Sequence, residues 1–112
     1  MKDQWKKKIR HAHEPDNPAL LSLWLTFEEG ESANLPDDKQ WQQYINIVRL
    51  LLDTYSDTLN PDHWRSTCLD QISRPLCSLH KLAKNHQQQE QLKSLLLEIK
   101  ILSHYFCPSF IR

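Results

Sequence analysis

The chain has 112 residues, a formal net charge of zero and a single glycine. Its length is that of one domain with one hydrophobic core, and zero net charge provides no general attraction to nucleic acid or to anionic membranes. Because hairpin turns need glycine where the backbone takes positive φ, one glycine argues against a β-rich fold. We therefore expect an all-α protein, a single helical domain over residues 1–112 that forms an antiparallel bundle of four to five helices with a basic N-terminal arm.

The basic arm, residues 1–13, contains five basic residues and one acidic residue, and so has a net charge of +4. Trp5 and Ile9 are four residues apart, which would place them on the same side of a short helix. The arm therefore combines a cluster of positive charge with two apolar side chains that could dock on the bundle.

Proline and helix-capping residues divide the rest of the chain, and Asn17 before Pro18 is typical of a helix start. Between these signals apolar residues recur at the three- and four-residue intervals of a helix, most regularly over residues 41–55. Pro75 interrupts a later helical pattern, where it must either kink the helix or lie in the first turn of a new helix after Ser73. The predicted helices cover residues 17–29, 38–59, 61–84 and 86–106.

The first of these predicted helices has most of its large apolar residues on one face, and we expect that face to be buried. We also expect the helix to end at Gly30, because glycine readily takes the left-handed conformation that closes many helices. Leu21 and Leu25 lie off the predicted face. The residues of the predicted face are Leu20, Leu23, Trp24 and Phe27.

The last predicted helix has apolar residues on two sides, although a bundle helix needs only one apolar stripe. Leu97, Ile101 and Tyr105 recur every four residues and form the second stripe, opposite the one that would face the core. Leu21, Leu25, Ile47 and Leu50 also lie off the main faces of their predicted helices. Two interpretations are open. Either the basic arm covers this apolar surplus as a fifth helix, or another protein covers it.

The second interpretation predicts a small cytoplasmic protein that acts by binding another protein, or a second copy of itself as a homodimer. Such a protein would be a regulator, an adaptor or chaperone, or an immunity-type inhibitor. The expected contact residues are Leu97, Ile101 and Tyr105, with Trp5 and Ile9 second. A cytoplasmic location is expected because the sequence has no secretory signal, no run long enough to span a membrane, and an odd number of cysteines.

The alternative function is that of a nucleic-acid-binding regulator. Lys6, Lys7, Lys8 and Arg10 lie beside Trp5, and such a cluster can bind phosphates while the aromatic ring stacks on a base. Against this, the chain as a whole is neutral, so the residues after the arm carry a net negative charge that would repel a duplex. Docking of the arm on the bundle is therefore the favoured interpretation.

A metal or thiol sensor is the third possibility, because Cys77/His80 and His104/Cys107 could each supply two zinc ligands. If the last two predicted helices form a hairpin, however, the two pairs lie roughly 18 Å apart along it, too far for one ion. Cys68 lies closer to the second pair but belongs to an apolar stripe, where free cysteine acts as a small hydrophobe. The sequence also lacks glycine-rich phosphate loops and catalytic motifs. We therefore expect no metal, no cofactor and no catalytic residues.

Overall fold

The computed structural model describes residues 2–106, which form six α-helices and contain no β-strand. The all-α prediction is therefore confirmed. No helix within these residues is both long enough and apolar enough to cross a membrane. The helices are α1 Lys2–Arg10, α2 Pro18–Ser32, α3 Asp37–Ser56, α4 Asp62–Gln71, α5 Ser73–Leu82 and α6 His86–Phe106.

Helix α3 is the centre of the bundle, because each of the other five helices packs against it. Nine of its 20 residues are buried, and at 100° per residue they occupy about half of its circumference. They include Trp41, Val48, Leu51 and Tyr55. The regular apolar pattern predicted over residues 41–55 therefore marks the helix around which the domain is built.

Helices α2, α4 and α5 run antiparallel to the central helix α3. Helix α2 runs opposite to α3, and near the turn between them Gln43 Nε2 donates a hydrogen bond to Glu28 Oε2 at 2.6 Å. Helices α4 and α5 return along α3, since Arg65 Nε donates to the Tyr55 carbonyl at 2.6 Å where α4 begins. At the other end, Lys84 just beyond α5 forms an ion pair with Asp37 at the start of α3.

Helix α6 follows the helices that return along α3 and so runs parallel to α3. Polar contacts fix the register of these two parallel helices. Trp41 Nε1 donates a hydrogen bond to Gln91 Oε1 at 3.0 Å. Two turns further along both helices, Arg49 Nη1 donates to Glu98 Oε2 at 2.7 Å. Although α6 is the longest helix, only two of its 21 residues are buried, so most of its surface remains available.

The predicted buried face of α2 is wrong. Leu21, Trp24, Leu25 and Glu28 are buried, whereas Leu23 of the predicted face is 61% exposed. Apolar residues surround most of this helix, so their spacing alone does not select a face. The buried face also includes the carboxylate of Glu28, which a search for apolar stripes would assign to the solvent-exposed side of the helix.

The predicted end of α2 at Gly30 is also wrong. The helix continues through Gly30 to Ser32 and closes when the Ala33 N–H donates to the Glu29 carbonyl at 3.1 Å. Gly30 does not take a positive φ. Glycine permits the left-handed conformation but does not require it, and here the backbone stays helical.

Residues 61–84, predicted as one interrupted helix, form two. Helix α4 ends before Ile72, and Pro75 is the third residue of α5. The second of the two alternatives for Pro75 is therefore correct. In the first turn of a helix the missing N–H costs nothing, because no carbonyl of the same helix is available to it. Helix α3 likewise ends at Ser56, earlier than predicted, because Asp57 is extended.

The N-terminal segment is a packed helix rather than a free basic arm. Helix α1 packs against α2 and α3, and Ile9 is fully buried. Trp64 Nε1 donates a hydrogen bond to the Ile9 carbonyl at 2.9 Å, and Asn60 Nδ2 donates to the Arg10 carbonyl at 3.1 Å. Both carbonyls lie in the last turn of α1, where partners within the helix are missing, and the Ile9 carbonyl also accepts from the Ala12 N–H at 3.3 Å. An ion pair of 2.7 Å between Arg10 and Asp57 lies beside them.

We expect Ile9→Ala to lower the free energy of unfolding by about 2–5 kcal/mol, because it leaves a cavity where α1 meets the core. Urea denaturation followed by circular dichroism measures the change. Leu59→Ala is the control, since Leu59 is 92% exposed and its truncation should change stability by no more than about 0.5 kcal/mol. Equal effects of the two substitutions would mean that α1 does not dock as described.

Candidate functional site

Three large side chains project into solvent from one side of α6. Leu97 and Ile101 are each 58% exposed, and Tyr105 is 76% exposed. They are spaced every four residues, so they form a continuous stripe along about two turns of helix, which we call the α6 face. Helix α1 packs against α2 and α3, and Ile9 belongs to the same core cluster as Leu21, Leu25 and Ile47. The α6 stripe stays exposed, so the interpretation in which the N-terminal segment covers the apolar surplus is wrong for α6.

The opposite side of α6 holds the helix on the bundle. Leu92 and Leu95 are buried, and Leu96, Ile99 and Leu102 pack partly against the same core. The α6 face is thus presented by a helix with an apolar anchor of its own.

At the end of α6, an aromatic contact adds to this anchor. The Phe106 ring lies 5.6 Å from the Tyr55 ring, edge to face, and the Arg65 guanidinium stacks 4.8 Å from the Phe106 centroid. Such ring and cation contacts are favourable at partly buried sites. Together with the hydrogen bond from Trp41 near the start of α6, they fix both ends of the helix.

The two edges of the α6 face differ in charge. With 100° per residue, Lys93, Lys100 and His104 all lie on the same side of Leu97, and all three are exposed. On the other edge Glu98 accepts the hydrogen bond from Arg49, which raises the pKa of that arginine. Sequence reasoning missed this asymmetry, although a helical projection around Leu97 would have indicated it.

Trp5 and Ile9, the second group of predicted contact residues, lie apart from the α6 face. Ile9 is fully buried, so it is not a surface residue that a partner could contact. Trp5 is half-buried, and its ring lies 5.7 Å from that of Phe27 on α2. Phe27 and Leu23 are exposed there, which sequence reasoning missed because it assigned both to the core.

The predicted nucleic-acid contacts are divided among different partners. Lys8 lies 3.4 Å from Glu14, whose pKa is lowered by a hydrogen bond from Asn17 and then by this lysine. Arg10 is engaged with Asp57 and holds the pKa of that carboxyl below its usual value. The four predicted residues are Lys6, Lys7, Lys8 and Arg10. Of these, Lys8 and Arg10 are therefore partly neutralised by carboxylates within the fold.

A cavity of about 290 Å³ lies where α1, α2 and α3 meet, and its lining contains as many cationic as acidic side chains. Lys6 and Arg49 line it together with Glu28 and Asp53, two cations and two carboxylates. The carboxylate of Glu28 is buried and accepts the hydrogen bond from Gln43. This balanced lining favours internal pairing over selection of a charged ligand.

Within residues 2–106 no three histidine, cysteine or acidic residues are placed to hold a metal ion. Cys77 is exposed on α5, and Cys107 lies outside the described residues. Cys68 is buried, and burial raises the pKa of its thiol to about 12. Such a thiol is inert at neutral pH, because the thiolate is the reactive form.

No protein-family model, curated protein or solved structure matches the chain. The features that bear on function are therefore those of the described surface. Among the features above, the α6 face places three large apolar side chains side by side in water, and removing such side chains from water is favourable.

In a variant carrying Cys77→Ser and Cys107→Ser, Cys68 is the only thiol. We expect it to be unreactive toward Ellman's reagent in the folded protein at pH 8, and to titrate as one thiol per chain after unfolding in guanidinium chloride. Both its burial and its raised pKa predict this result. Rapid reaction in the folded state would contradict the description of Cys68 and would favour a thiol-sensing role.

Proposed function

We propose that this protein acts by binding another protein through the α6 face. The observation that supports the proposal is the exposure of Leu97, Ile101 and Tyr105 on a helix that is anchored to the bundle by its other side. Removing such side chains from water favours association. A tyrosine at the end of the stripe is also typical of residues that dominate binding energy at interfaces.

The proposed role is binding rather than catalysis, since an apolar stripe contributes to association and takes no part in bond making. A regulator, an adaptor or chaperone, and an immunity-type inhibitor all act in this way. We place the protein in the cytoplasm, where its three cysteines would remain thiols. The buried, unreactive Cys68 is compatible with a structural role in such a compartment.

Nucleic-acid binding, the alternative, has less support. A basic cluster binds phosphates by exchanging its counterions for them, but Lys8 and Arg10 already have carboxylate partners in the fold. Helix α1 also packs through Ile9, so its residues are not free to follow a nucleic-acid backbone.

Affinity capture with three baits tests the proposal: wild type, Leu97→Asp and Leu23→Asp. Leu23 is the matched control, because it is a leucine of similar exposure, 61% against 58%, on a different helix. We expect wild type and Leu23→Asp to capture a protein that Leu97→Asp loses by tenfold or more, as measured by quantitative mass spectrometry. A charge placed in a desolvated apolar contact is strongly unfavourable.

Both substitutions lie at exposed positions, so both variants should keep the wild-type circular dichroism spectrum and urea midpoint. The proposal fails if light scattering gives a monomer and no captured protein distinguishes wild type from Leu97→Asp. It also fails if Leu23→Asp, and not Leu97→Asp, loses the partner.

A further inference from the structure

We infer that the segment received by the α6 face is a single amphipathic helix of a partner protein, with acidic residues along one edge of its apolar stripe. This inference rests on the proposed function and specifies the chemistry of the partner. It is based on the size of the α6 face, on the charges at its edges, and on the consequences of placing a second copy there.

The size of the face fits one helix. Leu97, Ile101 and Tyr105, exposed by 58%, 58% and 76%, offer on the order of 400 Å² of surface in total. A stable dimer of two folded domains usually buries about 800 Å² on each partner. The stripe extends about 12 Å along α6, a length that a short amphipathic helix covers with two or three apolar anchors.

The edges of the face select the charge of that helix. Lys100 is exposed beside the stripe and has no acidic partner within 4 Å among the described residues. His104 lies on the same edge, and Lys93 has only a 3.6 Å contact with Glu90 one turn away. The carboxylate of the opposite edge, Glu98, is already engaged with Arg49. Acidic residues on the partner would therefore meet the unpaired Lys100 and the loosely paired Lys93 on one edge, and little charge on the other.

A second copy of the chain complements this pattern poorly. In an antiparallel two-fold contact each edge of a helix faces the same edge of its partner, so Lys100 would meet Lys100 and His104 would lie near the same cluster. In a parallel two-fold contact the basic edge would face Glu98, whose charge Arg49 already neutralises. Neither arrangement supplies the free carboxylates that the basic edge can bind.

Two synthetic helical peptides test the inference. They carry the same staple and the same leucine stripe at intervals of three and four residues, and differ only in having glutamate or lysine beside that stripe. Fluorescence anisotropy measures their binding to wild type, Leu97→Asp, Leu23→Asp and the charge-reversal pair Lys93→Glu/Lys100→Glu. We expect the glutamate peptide to bind wild type and Leu23→Asp about tenfold more tightly than the lysine peptide, with the difference shrinking in 0.5 M salt.

We expect Leu97→Asp to lose both peptides and the charge-reversal pair to prefer the lysine peptide. If both peptides bind wild type equally and both are lost in Leu97→Asp, the α6 face binds helices without selecting acidic ones. The inference is then wrong while the proposed function stands.

If neither peptide binds wild type but a captured protein still depends on Leu97, the partner does not present a helix. The inference is then wrong and the proposed function again stands. Light scattering that gives a dimer for wild type and a monomer for Leu97→Asp would also overturn the inference, because a second copy would then be the occupant. Failure of both the peptides and the capture would remove the inference and the proposed function together.

Discussion

Burial of one half of α3 is the constraint on which the other helices depend. Its nine buried residues need cover along the whole helix, and the other five helices share that task. The domain measures only 17 Å along its thinnest axis, which is about two layers of helices at the usual spacing of 8–10 Å. In so thin a domain a helix keeps one side toward solvent. For α6 that side carries leucine, isoleucine and tyrosine, which folding leaves in contact with water.

Polar contacts from distant parts of the chain decide where α1 lies. The side chains of Trp64 and Asn60, more than 45 residues away, bind the last carbonyls of that helix. A buried indole N–H or amide without a partner costs free energy, so the docking of α1 also satisfies groups on α4 and on the loop before it. The same docking buries Ile9 and engages Arg10. One set of contacts thus changes a basic arm into a structural helix and weakens the case for nucleic-acid binding.

The sequence was informative where one pattern dominated and misleading where several competed. The period of the apolar residues in α3 admits only a helix with one buried face, and the two stripes of α6 are separated by half a turn, so both could be predicted. Apolar residues surround α2, and its buried face includes Glu28, which accepts a hydrogen bond from Gln43, a polar pair that no apolar pattern includes. Gly30 shows the same limit, because a permissive residue allows a helix end without requiring one. The basic edge of the α6 face was predictable from helical geometry, whereas the partners of Lys8 and Arg10 depend on tertiary contacts.

The two sides of α6 have different physical roles, which separates the stability of this protein from its proposed activity. Leu92 and Leu95 hold the helix in place and are buried, so substitutions there would damage the fold and binding together. Leu97 and Ile101 are more than half exposed, so substitutions there should change stability far less. Because few residues of α6 are buried, a partner on its outer side would also stabilise the helix, since a ligand that binds only the ordered state favours that state. Under the proposed function, binding at the apolar outer side of α6 would thereby also stabilise the order of this helix.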